Sequence, residues 1–361
     1  MNFELGSTHF DTRQRAQELA DSMIRPNLRH REANHEFPLD ALAALASAGL
    51  MGVNVKPEYG GLGAGVISYS EAVQVVAAAD PAVAVTMCVN NMVAEVLQQF
   101  GGPSHLEMIP KMTSGEWSSG SFCLSEPGSG SDAAAMQTRA EHRGDSFVLS
   151  GAKAWITSGA YAGVFLVWAR VGDSKNTISA FVVDPKLPGI TFGKPEEKMG
   201  QHASNTVALA FDEVVIPESA LLGDVGDGFR VAMMALDGGR VGIASQAIGI
   251  ADEALRLAAE AEIPCDDLFA EVEAARVLVW RAAWMKEGKM PFTVEASMAK
   301  LHASETACRV CETLVARAGI RGLDPDFGLE KLVRDARVTR IYEGTSEIQR
   351  IVISRDVLRS L

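Results

Sequence analysis

Apolar residues recur at helical spacing through the first third of the chain. In FDTRQRAQELADSMI, Phe10, Ala16, Leu19 and Met23 fall at helical spacing, and Asp11 is a candidate cap. Pro26 stops that helix or opens the next turn. FPLDALAALASAGLMG predicts a second helix, with Pro38 near its start and Gly49 at its end. PEYGGLGAG is a turn. With no clear strand before it and no lysine after it, it makes a weak phosphate loop. Residues 66–79 and 82–100 are again alanine-rich and helical. Near Trp117 the pattern changes. SSGSFCLSEPGSGSD, GDSFVLSGAKAWITSG, GVFLVWARV, TISAFVVD and NTVALAFDEVVIP are short β-branched and aromatic runs divided by Gly, Pro and Asp. They predict an antiparallel sandwich or barrel, not βαβ units. GSGSDA resembles a dinucleotide fingerprint by eye, but no long crossover helix follows it. After Gly228 long helical runs return. Gly238 and Gly239 weaken the first, while Gly242 and Gly249 predict close helix packing. A last helix carries LEKLVRDARVTRIYEGTSEIQRIVISRDVL. The expected architecture is α+β and multidomain: a helical domain over 1–118, a β domain over 119–225 and a helical bundle over 226–361.

Composition narrows the chemistry. With 361 residues and 47% apolar side chains, the chain can bury more than one core. A net charge of -13 argues against nucleic acid and anionic membranes as partners. Five cysteines, thinly spread, fit a reducing compartment better than a disulfide framework. Cys308 and Cys311 form a CxxC within helix and read as small apolar fillers, so no metal site is expected. The first residues lack a signal peptide's apolar core, and no long charge-free apolar stretch is present. A cytoplasmic location is the expectation.

Three motifs, in this order, resemble the acyl-CoA dehydrogenase family over nearly the whole chain. They are CLSEPGSGSDA (123–133) with GAKAWITSG (151–159), LDGGR (236–240), and LEKLVRDARVTRIYEGTSEIQR (329–350). The resemblance implies an N-terminal α-helical domain, a middle β domain and a C-terminal four-helix bundle. It implies FAD, an acyl-CoA or carrier-protein thioester as substrate, and α,β-dehydrogenation. Glu343 is then the base that takes the α-proton, and its backbone N–H helps to hold the thioester oxygen. The cofactor residues implied are Cys123, Leu124, Ser125, Gly130, Ser131, Trp155, Ile156, Thr157, Thr345 and Glu347. Ser131, Asp237, Arg240 and Gly344 fall on the substrate side. Without the resemblance, Glu343 reads as a cap or surface glutamate, Trp155 as core, and Asp237–Arg240 as a helix-surface pair. The acyl pocket is expected against residues 83–97, with Met87 and Cys88 as its floor or Asn90 and Asn91 as a polar one. An electron-transferring flavoprotein is the implied acceptor, and a dimer or tetramer the implied assembly.

The chain departs from the family's pattern in three places. Residues 259–276 replace a connector that carries an arginine toward the flavin pyrophosphate; they look some seventeen residues short and are acidic. In VARAGIRGLDPD, Ala316 and Ile320 replace an expected glutamine and glycine. Arg317 and Arg321, flanking Gly319, are the nearest positive groups for a diphosphate. His202 stands where an arginine is common, as a hinge or turn residue. These departures leave two alternatives: an oxidase or other enzyme on the same thioesters, and a non-catalytic partner subunit.

Overall fold

The chain divides into helices, a sheet and helices again, in a computed structural model that describes residues 5–172 and 177–360. Helix α1 (Ser7–Leu19) starts earlier than the sequence suggests. Gly6 precedes it, and the His9 ring accepts the Gly6 N–H, so Asp11 lies inside the helix and caps nothing. Pro26 sits in a short 3₁₀ turn, Arg25–Asn27, before α2 (Leu28–Asn34). Helix α3 (Leu39–Ser47) ends before Gly49, whose φ of +79° suits glycine. Helices α4 (Gly65–Ala79) and α5 (Pro81–Phe100) are almost wholly buried. Asp80 starts α5 by accepting the Ala82 N–H at 3.0 Å, with Pro81 in the first turn. Short helices α6 (Pro103–Leu106) and α7 (Ile109–Thr113) lead into the sheet.

The middle of the chain forms β1 (Gly120–Cys123), β2 (Arg139–Arg143), β3 (Ser146–Thr157), β4 (Val164–Val171), β5 (Ile178–Val183), β6 (Ile190–Phe192), β7 (Thr206–Pro217) and β8 (Leu221–Leu222). Their order is β6-β7-β3-β2-β4-β5-β8, with β1 beside β4. Most pairs are antiparallel as expected, but β1–β4 and β2–β4 are parallel. Phe147, Phe165 and Phe181 fill the inner face. Trp168 faces the other way, and its indole N–H donates to the Gly228 carbonyl at 2.7 Å, tying the sheet to the bundle.

The bundle contains α8 (Gly228–Glu260), α9 (Asp266–Glu287), α10 (Thr293–Ala318), α11 (Leu329–Arg337) and α12 (Ser346–Ser360). Gly238 and Gly239 do not interrupt α8. Gly242 and Gly249 are contact points, as their spacing predicts. A Cβ on Gly242 would lie 2.5 Å from the Tyr69 hydroxyl, and one on Gly249 would lie 2.2 Å from the Gln74 carbonyl. Cys308 and Cys311 are buried in the bundle core. The last segment is two helices rather than one. A 3₁₀ turn (Val338–Arg340) and a tight turn separate α11 from α12, and Glu343 occupies that break at φ +55°. An acid in left-handed backbone cannot continue a helix, which is why the periodic pattern overruns the true end.

Candidate active site

Glu343 projects from this break into a cavity of about 370 Å³ between β1, β3, α5, α8 and the start of α12. Gly344 follows at φ +90°, so the chain turns twice through left-handed space. Gly239 on α8 gives the carboxyl its room. A Cβ there would lie 2.5 Å from Glu343 Oε2. That oxygen is buried and has no hydrogen-bond partner. Burial pushes the Glu343 pKa up to about 7, against the pull of Arg240 and Lys300. An unpaired carboxyl poised near neutrality has the character of a general base awaiting a proton.

Arg240 reaches the same cavity from α8. One guanidinium nitrogen donates to Asp237 Oδ1 at 2.6 Å and to Ser297 Oγ at 3.2 Å, while its Nε is buried and unpaired. Asp237 also accepts from Thr293 Oγ1. The pair expected on the helix surface is instead largely covered, its side chains 6% and 14% exposed. Asp237 does not line the cavity; it orients Arg240.

Trp155 comes from β3. A bulge in the β3–β7 register falls between Lys153 and Ile156, and Trp155 takes φ +62° there. The indole is 64% exposed and lines the cavity. A large aromatic held in disfavoured backbone with its face uncovered is a platform for a flat ring, not core. Ser125, Thr157, Leu124, Ile156, Gly130 and Ser131 line the same space. The loop after β1 is shaped from beneath by Lys153. Its ammonium donates to Glu126 Oε1 at 2.8 Å and to Leu124 O at 3.1 Å, and Glu126 accepts the Gln137 and Thr138 N–H groups.

Several expected residues lie elsewhere. The Cys123 thiol faces the sheet core, because alternation along β1 turns Phe122 and Leu124 toward the cavity instead. Glu347 points outward at the start of α12, its side chain 75% exposed, whereas Thr345 lines the cavity. Cys88 lines the cavity, but Met87 packs into the N-terminal core. Asn90 and Asn91 make no polar floor. Asn90 bonds Met51 O and the Gly120 N–H, and Asn91 bonds Leu50 O and the Val53 N–H. Arg317 is not free for a diphosphate: its fork grips both Asp267 oxygens at 2.7 Å, and it also donates to Pro264 O. Only residues 261–265 join α8 to α9, and this short link brings Asp267 beside the end of α10. Arg321 lies over the Phe327 ring at 4.5 Å. His202 ties the β domain to α2 through Glu32 at 3.0 Å and stacks on His35.

The sequence reading missed Phe122, Tyr69, Gln349 and Lys300. Lys300 left a signal: it falls at core spacing among Ala296, Ala299 and Ala303. Two larger cavities, of about 870 and 680 Å³, have no unpaired buried carboxyl among the described residues that line them.

The exposed indole, the hydroxyls of Ser125 and Thr157 and the unpaired Glu343 oxygen fit a flavin ring on one side and a thioester between it and the carboxyl. Known proteins resemble this chain over 99% of its length. The family descriptions "Acyl-CoA dehydrogenase, N-terminal domain", "middle domain" and "C-terminal domain" match residues 7–116, 121–214 and 264–358. The chain is 39% identical to the mitochondrial short-chain specific acyl-CoA dehydrogenase of Mus musculus over 378 aligned positions, covering 99% of this chain and 92% of that protein. It superposes on butyryl-CoA dehydrogenase from Megasphaera elsdenii with a TM-score of 0.96 at 36% identity, covering 99% and 100% of the two chains. An acyl-CoA dehydrogenase from Bacillus anthracis, solved in complex with FAD, matches with a TM-score of 0.90 at 27% identity over 99% of this chain and 67% of that one. In sequence and in fold, the chain belongs to the flavin-dependent acyl-CoA dehydrogenase family.

Proposed function

We propose that this protein dehydrogenates short acyl-CoA thioesters with Glu343 as the base, and that it passes the electrons to an electron-transferring flavoprotein. The unpaired, buried Glu343 oxygen carries the reading. Bound FAD supplies the acceptor for the β-hydride. Trp155, Ser125 and Thr157 would hold its ring, and Ser131 and Gly130 would border the path of the CoA arm. Glu343 removes the α-proton. Among the described residues its backbone N–H has no acceptor within the chain, which leaves it to hold the thioester oxygen as charge builds there. Gly344 lets the substrate come close to this turn. Arg240, oriented by Asp237, keeps a positive charge beside the carboxyl. We further propose that the chain works as a homo-oligomer.

Cys88, backed by the Tyr69 hydroxyl that rests on Gly242, closes the acyl end of the cavity. This favours short chains, and the short-chain relatives support it. The test is a panel of acyl-CoAs of rising length with an artificial electron acceptor and FAD-replete protein. Fastest turnover near four carbons is expected, and no turnover of any of them would sink the proposal. Cys88→Ala should shift kcat/KM toward the next longer acyl-CoA by about tenfold, the scale of one methylene. An unchanged length profile would place the chain end elsewhere.

Trp155→Ala should weaken FAD retention about tenfold, since ring stacking adds roughly 0.5–1.5 kcal/mol beyond the area covered. FAD content after gel filtration and the flavin absorption spectrum read this directly. Full occupancy with an unaltered spectrum would show that the indole does not touch the flavin.

A further inference from the structure

Lys300 sits on α10 in a row of small core residues, Ala296, Ala299, Ala303 and Ala307, and is itself fully buried. A lysine in such a place loses hydration and rotamer freedom, so something must compensate its charge. Its ammonium donates to the Gly344 carbonyl at 2.7 Å. Gln349 donates to the same carbonyl at 2.9 Å and to the Glu343 carbonyl at 3.1 Å. Together these two side chains occupy the outward carbonyls of the strained turn. With those oxygens fixed on the bundle side, the peptide planes cannot rotate and the Glu343 side chain keeps its aim.

The charged groups facing Lys300 are Glu343 in the turn, Arg240 on α8, Glu305 on α10 and Glu347 on α12. Glu305 is already engaged by Ser346 and Arg340. Those facing Glu343 are Arg240 and Lys300, while Tyr69 and Cys88 behind it are held neutral by burial. Burial lowers the Lys300 pKa to about 7, and the Glu343 carboxylate opposes that drop. Arg240 is committed to Asp237. Lys300 has no such carboxylate partner of its own within salt-bridge distance among the described residues; its hydrogen bond goes to a neutral carbonyl.

We infer that Lys300 is a positioning residue for this reaction: its buried ammonium pins the Gly344 carbonyl, fixes the turn that aims Glu343, and supplies a countercharge behind the carboxylate. The inference rests on Glu343 being the base. The direction of its effect is set by charge. Removing a cation makes the carboxylate costlier, so Glu343 ionises at higher pH.

The test follows exchange of the thioester α-hydrogens with deuterated solvent, against pH, on FAD-loaded protein. This reads proton removal alone and needs no electron acceptor. Lys300→Met should move the acid limb upward by about one pH unit, which makes exchange about tenfold slower on that limb and restores part of it at high pH. Lys300→Arg, which keeps the charge, should hold the midpoint close to the parent's. A residue that merely supports the fold would lower the rate equally at every pH. If Lys300→Met does not fold, Lys300→Gln retains a donor to Gly344, and the same upward shift is expected. An unshifted midpoint in the folded variant overturns the proposal. Glu343→Gln separates the two claims. Exchange at the parent's rate in that variant would overturn the base itself. An inert Glu343→Gln beside unshifted Lys300 variants would overturn only the role of Lys300.

Discussion

Glu343→Gln is expected to lose dehydrogenation by about a thousandfold or more while the fold and FAD content stay intact, because general-base removal alone costs about 10²–10⁴. The amide has nearly the shape of the carboxyl but cannot accept the α-proton. Glu343 Oε2 makes no hydrogen bond, so the substitution breaks none there. Its effect on stability has the opposite sign. The folded-state pKa, about 7, lies above the ordinary carboxylate value. The folded protein therefore holds a proton that the unfolded chain releases, and stability falls as pH rises from the unfolded pKa to about 7. Above that point the parent carries the cost of a buried carboxylate, only partly offset by Arg240 and Lys300, and the glutamine variant has no carboxylate to bury. The variant should thus unfold at the same or a higher temperature at alkaline pH while being nearly inert. In the parent, kcat/KM should rise with pH through about 7 as the carboxylate forms. Activity within threefold of the parent would move the base to another residue, and a variant that unfolds more easily would mean that Glu343 is structural.

The helices were legible because their apolar stripes are long, and the strands because β-branched runs alternate with turn residues. Local backbone strain was not. Trp155 and Glu343 both occupy left-handed backbone that sequence assigns to glycine, and each is placed by contacts far away in the chain. Cys123 is a different case. Alternation along GSFCL puts Phe122 and Leu124 on one face and the thiol on the other, so its position was readable from period two alone. Arg317 was not readable, because its partner Asp267 approaches only when the link between α8 and α9 is short. Lys300 reads as a solvated lysine until its neighbours at 296, 299 and 303 are seen to share a core face. Glu343 itself stands out only through IYEGTSEIQR taken as a unit. A glutamate after a helix carries no signal of burial, and here burial, not residue type, makes it basic.

Gly249→Ala is expected to destabilise the protein by about 2 kcal/mol, although alanine is the better helix former by roughly 0.5–1 kcal/mol. Position 249 lies where α8 crosses α4. The added Cβ would stand 2.2 Å from the Gln74 carbonyl, 2.8 Å from the Ala77 Cβ and 3.0 Å from the Ala78 nitrogen. Two of these are backbone atoms, so no rotamer change relieves the contact and the helices must part. Parting strains a polar seam: Ser70 bonds Ser245 across the two helices at 2.7 Å, and Arg276 on α9 reaches Gln74. These groups are buried, and each lost bond leaves a donor or acceptor dry. Gly238→Ala on the same helix is the control. Its Cβ would meet the tip of Lys286 at 2.8 Å, a side-chain end paired with Glu95 that shifts more easily than backbone. There the helix propensity decides, and the variant should be as stable as the parent or slightly more so. Thermal unfolding of the FAD-loaded proteins distinguishes the two sites. A fall of about 2–3 °C is expected for Gly249→Ala and none for Gly238→Ala. Equal midpoints would mean that α4 yields at the crossing without cost.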